Sequence, residues 1–354
     1  MTVAAGSPPP RERPPGRPPE GEPAAGEPER LGEAPPILQV RGLSVDYVTR
    51  HGAARAVDAV DLTLGPGEFL AVVGESGCGK STMLFAIAQL LSPPAEVVAG
   101  DVEFRGRSMV QMSAKELRAL RWRDLSVVMQ SAMNALNPVK SIGAQFADTM
   151  RAHQQTGKEA IRERSRQVLA LVGIDPIHLE SYPHQLSGGM RQRAMIAMAL
   201  LFSPDLILMD EPTSALDVVA QRSLMVQIKE LQREIGFAVV FVTHDMSLVS
   251  HFSDRLVVMY AGQVAEDGPT GRLFAEPLHP YTAGLLDAFP SVHGPRVPLE
   301  GVPGSPPDLS RLPAGCNFSP RCPKAMPSCG VTAPGITAVD GVKVRCLLYE
   351  DGRP

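Results

Sequence analysis

The sequence predicts an α/β fold built on a parallel sheet, and three features carry that expectation. Two short runs, Leu206-Ile207-Leu208-Met209 and Ala238-Val239-Val240-Phe241-Val242, are apolar throughout. A strand that is apolar on both faces belongs in the middle of a parallel sheet covered by helices. A helix pattern at Ala220–Ile235 joins the two runs, and strands alternating with helices indicate parallel crossovers. Third, Phe69-Leu70-Ala71-Val72-Val73 runs straight into a glycine-rich loop, with a helical pattern from Lys80 to Leu91 behind it.

In chain order, residues 1–36 are rich in Pro, Gly, Glu and Arg and have no periodic apolar face. Such a segment buries too little surface to offset its ordering entropy and reads as a disordered tail. Ile37–Val40 and Leu43–Tyr47 read as strands, His51–Arg55 as turn-rich, and Ala56–Leu64 as strand-like. Helical spacing dominates from Ser141 to Leu171, with an amphipathic stretch at Ile161–Val172. After about Gly268, Pro and Gly become frequent, and a small C-terminal appendage with little regular structure is expected there. The resulting division is a tail at 1–36, a main domain at 37–268 and a C-terminal region at 269–354.

The chain has 354 residues, 44% hydrophobic and 20% charged, with a formal net charge of -4. No global basic field argues for nucleic acid. The longest apolar run, around Ala194–Pro204, ends at Asp205, far short of a bilayer span. The N-terminus has no apolar signal region, so a cytosolic chain is expected.

The loop Gly74-Glu75-Ser76-Gly77-Cys78-Gly79-Lys80-Ser81 fits G-x-x-x-x-G-K-[ST]. Its glycines let backbone N–H groups turn inward onto phosphate oxygens. Lys80 supplies a point charge for the outer phosphates and the Ser81 hydroxyl a ligand for Mg²⁺. Thr82 follows at the helix start. Cys78 stands at a variable position, where a small side chain is tolerated; a reactive thiol is the alternative, because a helix N-terminus lowers thiol pKa. Leu206–Met209 ends in Asp210 and Glu211, an acid for Mg²⁺ and an acid for the attacking water, which is what phosphoryl transfer asks of a protein.

Leu186-Ser187-Gly188-Gly189-Met190-Arg191-Gln192-Arg193 closely resembles the signature sequence of ABC-type ATPases, with Met190 where Gln is usual. Gln130 matches the Q-loop glutamine, which by this resemblance would share the Mg²⁺ site. Ser214-Ala215-Leu216-Asp217 matches the D-loop, His244 the switch histidine, and Tyr47 the aromatic that stacks on adenine. The resemblance covers Ile37 to about Gly268. It implies a P-loop fold with an inserted helical subdomain at about 131–186, and two such domains facing head to tail. Lys80, Ser81, Gln130, Asp210, Glu211 and His244 would serve this chain's own ATP, with Glu211, His244 and Gln130 at the chemistry. Ser187 and Gly189 would serve the partner's, and Gly188 and Asp217 are further nucleotide-binding candidates.

A narrower resemblance lies outside that core. Ala135-Leu136-Asn137-Pro138-Val139, His279-Pro280-Tyr281-Thr282-Ala283-Gly284-Leu285-Leu286 and the segment from Gly304 to Pro323 look like the di- and oligopeptide import ATPases. This implies two permease subunits, a second ATPase (paired as a heterodimer or a homodimer), an extracytoplasmic peptide-binding protein, and a place on the cytoplasmic face of the membrane. A nickel or other small-solute importer, or a soluble ABC ATPase acting on ribosomes or DNA, stands as the alternative. Cys316, Cys322, Cys329 and Cys346 are separated by five, six and sixteen residues. Four thiolates suit zinc or an iron–sulfur cluster; the resemblance implies a [4Fe–4S] cluster.

Overall fold

The structure, a computed structural model, describes residues 35–50, 52–130, 135–154, 157–214, 216–288 and 301–350. The tail read at 1–36 lies outside the described residues except for Pro35 and Pro36. So do residues 131–134, at the expected start of the helical subdomain, and Ala215 of the D-loop match.

Two sheets make the framework. β1 (Leu38–Thr49), β2 (Gly52–Leu64), β4 (Ala95–Phe104) and β5 (Arg107–Ser108) form an antiparallel sheet in the order β2-β1-β4-β5. Residues 52–55, read as turn-rich, are the start of β2. The parallel centre of the second sheet is β3 (Phe69–Val73), β6 (Leu125–Val128), β7 (Leu206–Asp210), β8 (Ala238–Val242) and β9 (Arg255–Tyr260). Every residue of β3, β7 and β8 is buried; their apolar runs require it, and Asp210 at the end of β7 is the one charged residue among them.

Side chains alternate across a strand, so these strands feed two cores. Leu70, Val72, Leu206, Leu208, Val240 and Val242 pack with Leu38, Val45, Val57 and Val102 of the antiparallel sheet, together with Met83 and Leu84. These last two lie in α1 (Lys80–Ile87), which ends four residues before the expected Leu91. Gln89 adopts a positive φ of 55°, and Pro93 and Pro94 follow, so the helix cannot continue. Beyond it, α2 (Ala114–Leu120) is closed by a Ser113–Glu116 capping box.

On the other face Phe69, Ala71, Ile207, Met209, Val239 and Phe241 meet the helices. These are α3 (Ile142–Ala152), α4 (Lys158–Leu171), α5 (Gly188–Ala199), α6 (Val218–Ile235) and α7 (Met246–Phe252). Among the described residues no helix is long and apolar enough to cross a membrane.

The C-terminal region departs from expectation. α8 (Thr270–Ala275) and α9 (Pro280–Asp287) follow β10 (Gln263–Pro269), which runs antiparallel on β9. Then β11 (Thr337–Val339) and β12 (Val342–Val344) form a hairpin, and β12 pairs with β10 through Glu266↔Val344 and Asp267↔Lys343. The region expected to carry little regular structure therefore extends the main sheet. The turn is Asp340-Gly341 with φ of 47° and 80°, the two positive values that suit a right-twisted hairpin.

Candidate functional site

The glycine-rich loop leaves β3 at its C-terminal end and enters α1. Gly74 and Gly79 have φ of 148° and 105°, and a Cβ on either would stand 2.2 Å from a backbone oxygen, of Met259 and Ala56 respectively. Both must be glycine for the loop to close against β9 and β2. Lys80 is buried, and its Nζ donates to the carbonyls of Gly74 at 2.8 Å and Glu75 at 3.0 Å. Cys78 is buried too, and burial pushes its thiol pKa up. Exposed, reactive thiolate character is therefore absent; the loop accepts Cys78 as a small packed side chain.

Asp210, at the end of β7, is buried. Ser81 donates its hydroxyl to Asp210 Oδ1 at 2.9 Å. Burial raises the Asp210 pKa and the neighbouring Glu211 charge adds to it, while Ser81 and Lys80 oppose. The Ser81 hydroxyl and the Asp210 carboxylate thus stand side by side as two oxygen atoms that could hold a divalent cation. Glu211 comes next, with a positive φ of 44°. Gln130 donates Nε2 to Glu211 Oε2 at 2.7 Å, and His244 Nδ1 lies 3.2 Å from Glu211 Oε1. One carboxylate thus joins the end of β6, the end of β7 and the loop after β8. Tyr47 lies above the helix start, its hydroxyl 3.2 Å from that of Thr82.

The signature residues form a separate place. Ser187 caps α5, its Oγ accepting the Met190 N–H at 3.2 Å, with Gly188 and Gly189 in the first turn. Ser187 and Gly189 border a cleft lined also by Gly173, Ile174, Arg193 and Leu216, none of which belongs to the phosphate-loop set. Asp217 caps α6 by accepting the Ala220 N–H at 2.9 Å, and the adjoining Val218 and Val219 are about four-fifths exposed.

Sequence reasoning missed the rear of the loop. The Glu75 N–H donates to the Tyr281 hydroxyl at 2.9 Å, and the Glu75 carboxylate pairs with Arg321. No local pattern signals this contact, because Arg321 lies 246 positions from Glu75, beside Cys322 in the cysteine-bearing segment. Of these, Cys316, Cys322 and Cys346 have raised pKa values, through burial first and the other thiols' charges after it; Cys346 is pushed up to about 11. Among the described residues no three His, Cys, Asp or Glu side chains are gathered so as to hold a metal ion.

Comparison with known proteins gives a consistent result. Residues 57–214 match the family described as ABC transporter, and residues 265–329 match the oligopeptide/dipeptide transporter C-terminal region. The chain is 42% identical over 318 residues to the dipeptide transport ATP-binding protein DppD of Bacillus subtilis, covering 89% of this chain and 95% of that one. It is 40% identical over 314 residues to the oligopeptide transport ATP-binding protein OppD of Salmonella typhimurium, covering 88% and 93%. Among solved structures, the ATP-binding cassette MJ0796, a dimer in a post-hydrolysis state bound to ADP and Pi, superposes with a TM-score of 0.60 at 28% identity. That match covers 66% of this chain and 99% of the other. The chain belongs to the family of ATP-binding subunits of dipeptide and oligopeptide ABC transporters.

Proposed function

We propose that this chain binds and hydrolyses ATP as a motor subunit of a di- or oligopeptide importer, docked peripherally on two permease subunits at the cytoplasmic face. A second ATPase subunit and an extracytoplasmic peptide-binding protein complete the assembly. The observation that carries the ATPase reading is the linked set Lys80, Ser81–Asp210 and Gln130–Glu211–His244 at the ends of adjacent strands.

The roles follow from the chemistry of each group. The loop N–H groups and Lys80 bind the phosphates. Ser81, Asp210 and Gln130 would hold Mg²⁺, which would supply positive charge to offset that of the phosphates. Glu211, held from both sides by Gln130 and His244, orients and deprotonates the attacking water. Tyr47 offers its ring to the adenine. Ser187, Gly188 and Gly189 form a helix N-terminus with a hydroxyl, an anion site suited to a triphosphate. With Asp217 they serve the nucleotide on the opposing subunit.

For Cys316, Cys322, Cys329 and Cys346 the reading is a [4Fe–4S] cluster with a structural role. Its support is the donor set of four free thiols whose charges act on one another. Zinc, which four thiolates also suit, is the alternative. Iron and sulfide assay of the purified chain tests this, and stoichiometric zinc without iron would refute it.

The functional test is ATP turnover by the assembled transporter in vesicles supplied with peptide. Peptide uptake coupled to hydrolysis is expected, with both stopped by Glu211→Gln while ATP stays bound. Undiminished turnover in Glu211→Gln would sink the assignment; uptake of nickel instead of peptide would redirect it.

A further inference from the structure

We propose that Arg321 is a positioning residue for nucleotide binding: by pairing with Glu75 it holds the phosphate loop in shape and cancels a negative charge beside the triphosphate. The proposal rests on ATP binding at Gly74–Ser81.

The pairing is two-pronged. Arg321 donates Nη1 to Glu75 Oε2 at 2.7 Å and Nη2 to Glu75 Oε1 at 2.9 Å. Its other N–H groups are fixed as well. Nε donates to the Pro303 carbonyl at 2.6 Å, Nη2 to those of Val302 and Gly304 at 3.3 and 3.4 Å, and Nη1 to the Tyr260 hydroxyl at 3.4 Å. Arg321 is only 8% exposed. A loose surface pair contributes little, but a forked, buried guanidinium with every donor engaged sets the position of its carboxylate.

The Glu75 backbone is engaged on both sides. Its N–H meets the hydroxyl of the fully buried Tyr281, and its carbonyl accepts from Lys80 Nζ. Glu75 therefore joins the C-terminal region to the ammonium that faces the phosphates. The electrostatic consequence is equally direct. A carboxylate inside a phosphate-binding loop repels an incoming polyanion unless a fixed cation cancels its field. Among the hydrogen bonds of the described residues, Arg321 is the cation on that carboxylate.

Calorimetric binding of Mg-ATP to the full-length chain tests the proposal, using Arg321→Gln, Arg321→Lys, Glu75→Gln and the double variant Arg321→Gln/Glu75→Gln, each checked for folding by circular dichroism. Arg321→Gln should weaken ATP binding by about tenfold, the scale of one unpaired charge nearby. Arg321→Lys should recover part of the loss. The double variant should recover most of it, because no uncancelled carboxylate remains; a purely structural role predicts no such rescue. In the assembled transporter, Arg321→Gln should raise KM for ATP with kcat held within about twofold. Wild-type affinity in Arg321→Gln, or a double variant as weak as the single, overturns the proposal. A wild-type chain that binds no ATP overturns the underlying nucleotide site instead. If Arg321→Gln fails to fold, Arg321→Lys against Arg321→Lys/Glu75→Gln carries the same comparison: rescue supports the proposal and its absence overturns it.

Discussion

Replacing Gly79 by alanine separates backbone geometry from side-chain chemistry at the phosphate loop. Gly79 has φ 105° and ψ 0°, a conformation in which alanine loses about 1–2 kcal/mol. Its Cβ would also stand 2.2 Å from the Ala56 carbonyl oxygen and 3.3 Å from the carbon. That is about 1 Å inside an ordinary contact, and neither side is a flexible tip that can swing away. Either β2 or the loop must move, and the combined cost is roughly 3 kcal/mol or more. Gly77 is the built-in control. Its φ of 79° is also positive, yet a Cβ there meets nothing within 4 Å, so Gly77→Ala should cost only about 1 kcal/mol. Urea unfolding of the nucleotide-free chain should therefore rank the two variants about 2 kcal/mol apart. If the strain in Gly79→Ala is relieved by moving the loop, ATP affinity should fall by about a hundredfold, since 1.4 kcal/mol is a factor of ten. Equal losses of stability and equal ATP affinity in the two variants would refute the reasoning.

Other expected outcomes follow from the same geometry. Asp210 is held as a buried carboxylate with a raised pKa, so its ionisation opposes folding as pH rises through the folded value. Asp210→Asn should stabilise the nucleotide-free chain at neutral pH, by less as pH falls into the carboxylate range, while abolishing Mg²⁺-dependent hydrolysis; denaturation at several pH values and a turnover assay check both halves. Buried His279 has its pKa lowered to about 4 by burial, and its Nδ1 caps α9 by accepting the Tyr281 N–H at 3.0 Å. The unfolded chain takes up this proton near pH 6.5 and the folded chain does not, so stability drains as pH falls from 6.5 through 4, by roughly 3 kcal/mol in all. His279→Asn keeps an N-cap acceptor and should flatten that part of the stability–pH curve. In the Asp340-Gly341 turn, Gly341→Val, at φ 80°, should loosen β11–β12 and be seen as faster amide exchange at Lys343 and Val344.

Much of the fold was legible because its signals are local. The unbroken apolar runs at Leu206–Met209 and Ala238–Val242 could only be buried strands, and β3, the loop and α1 announce themselves in a single stretch. The loop, the acid pair and the signature serine are likewise local patterns, and hydrogen bonds bring Gln130, Glu211 and His244 together from three strand ends. What escaped was long-range or masked by a louder neighbour. The Asp340-Gly341 turn between short valine-bearing strands is a hairpin signal, but it sits in a Pro- and Gly-rich region that reads as irregular. Nothing local says that β12 will join β10. The Arg321–Glu75 pair spans 246 positions, and no pattern in either segment points to the other. The early end of α1 shows the opposite case, in which propensity favours more helix and a left-handed Gln89 stops it.

The central claim is that Lys80 and Ser187 of one chain serve two different nucleotides. Mg-ATP binding to the isolated chain, measured for Lys80→Ala and Ser187→Arg, tests it most directly alongside turnover in the assembled transporter. Lys80→Ala should lose ATP binding in the isolated chain. Ser187→Arg should keep it, losing only the cap on α5, and should fail in the assembled transporter, where a bulky cation would block the facing subunit's triphosphate. Loss of ATP binding by isolated, folded Ser187→Arg would place both residues in one pocket and contradict the account.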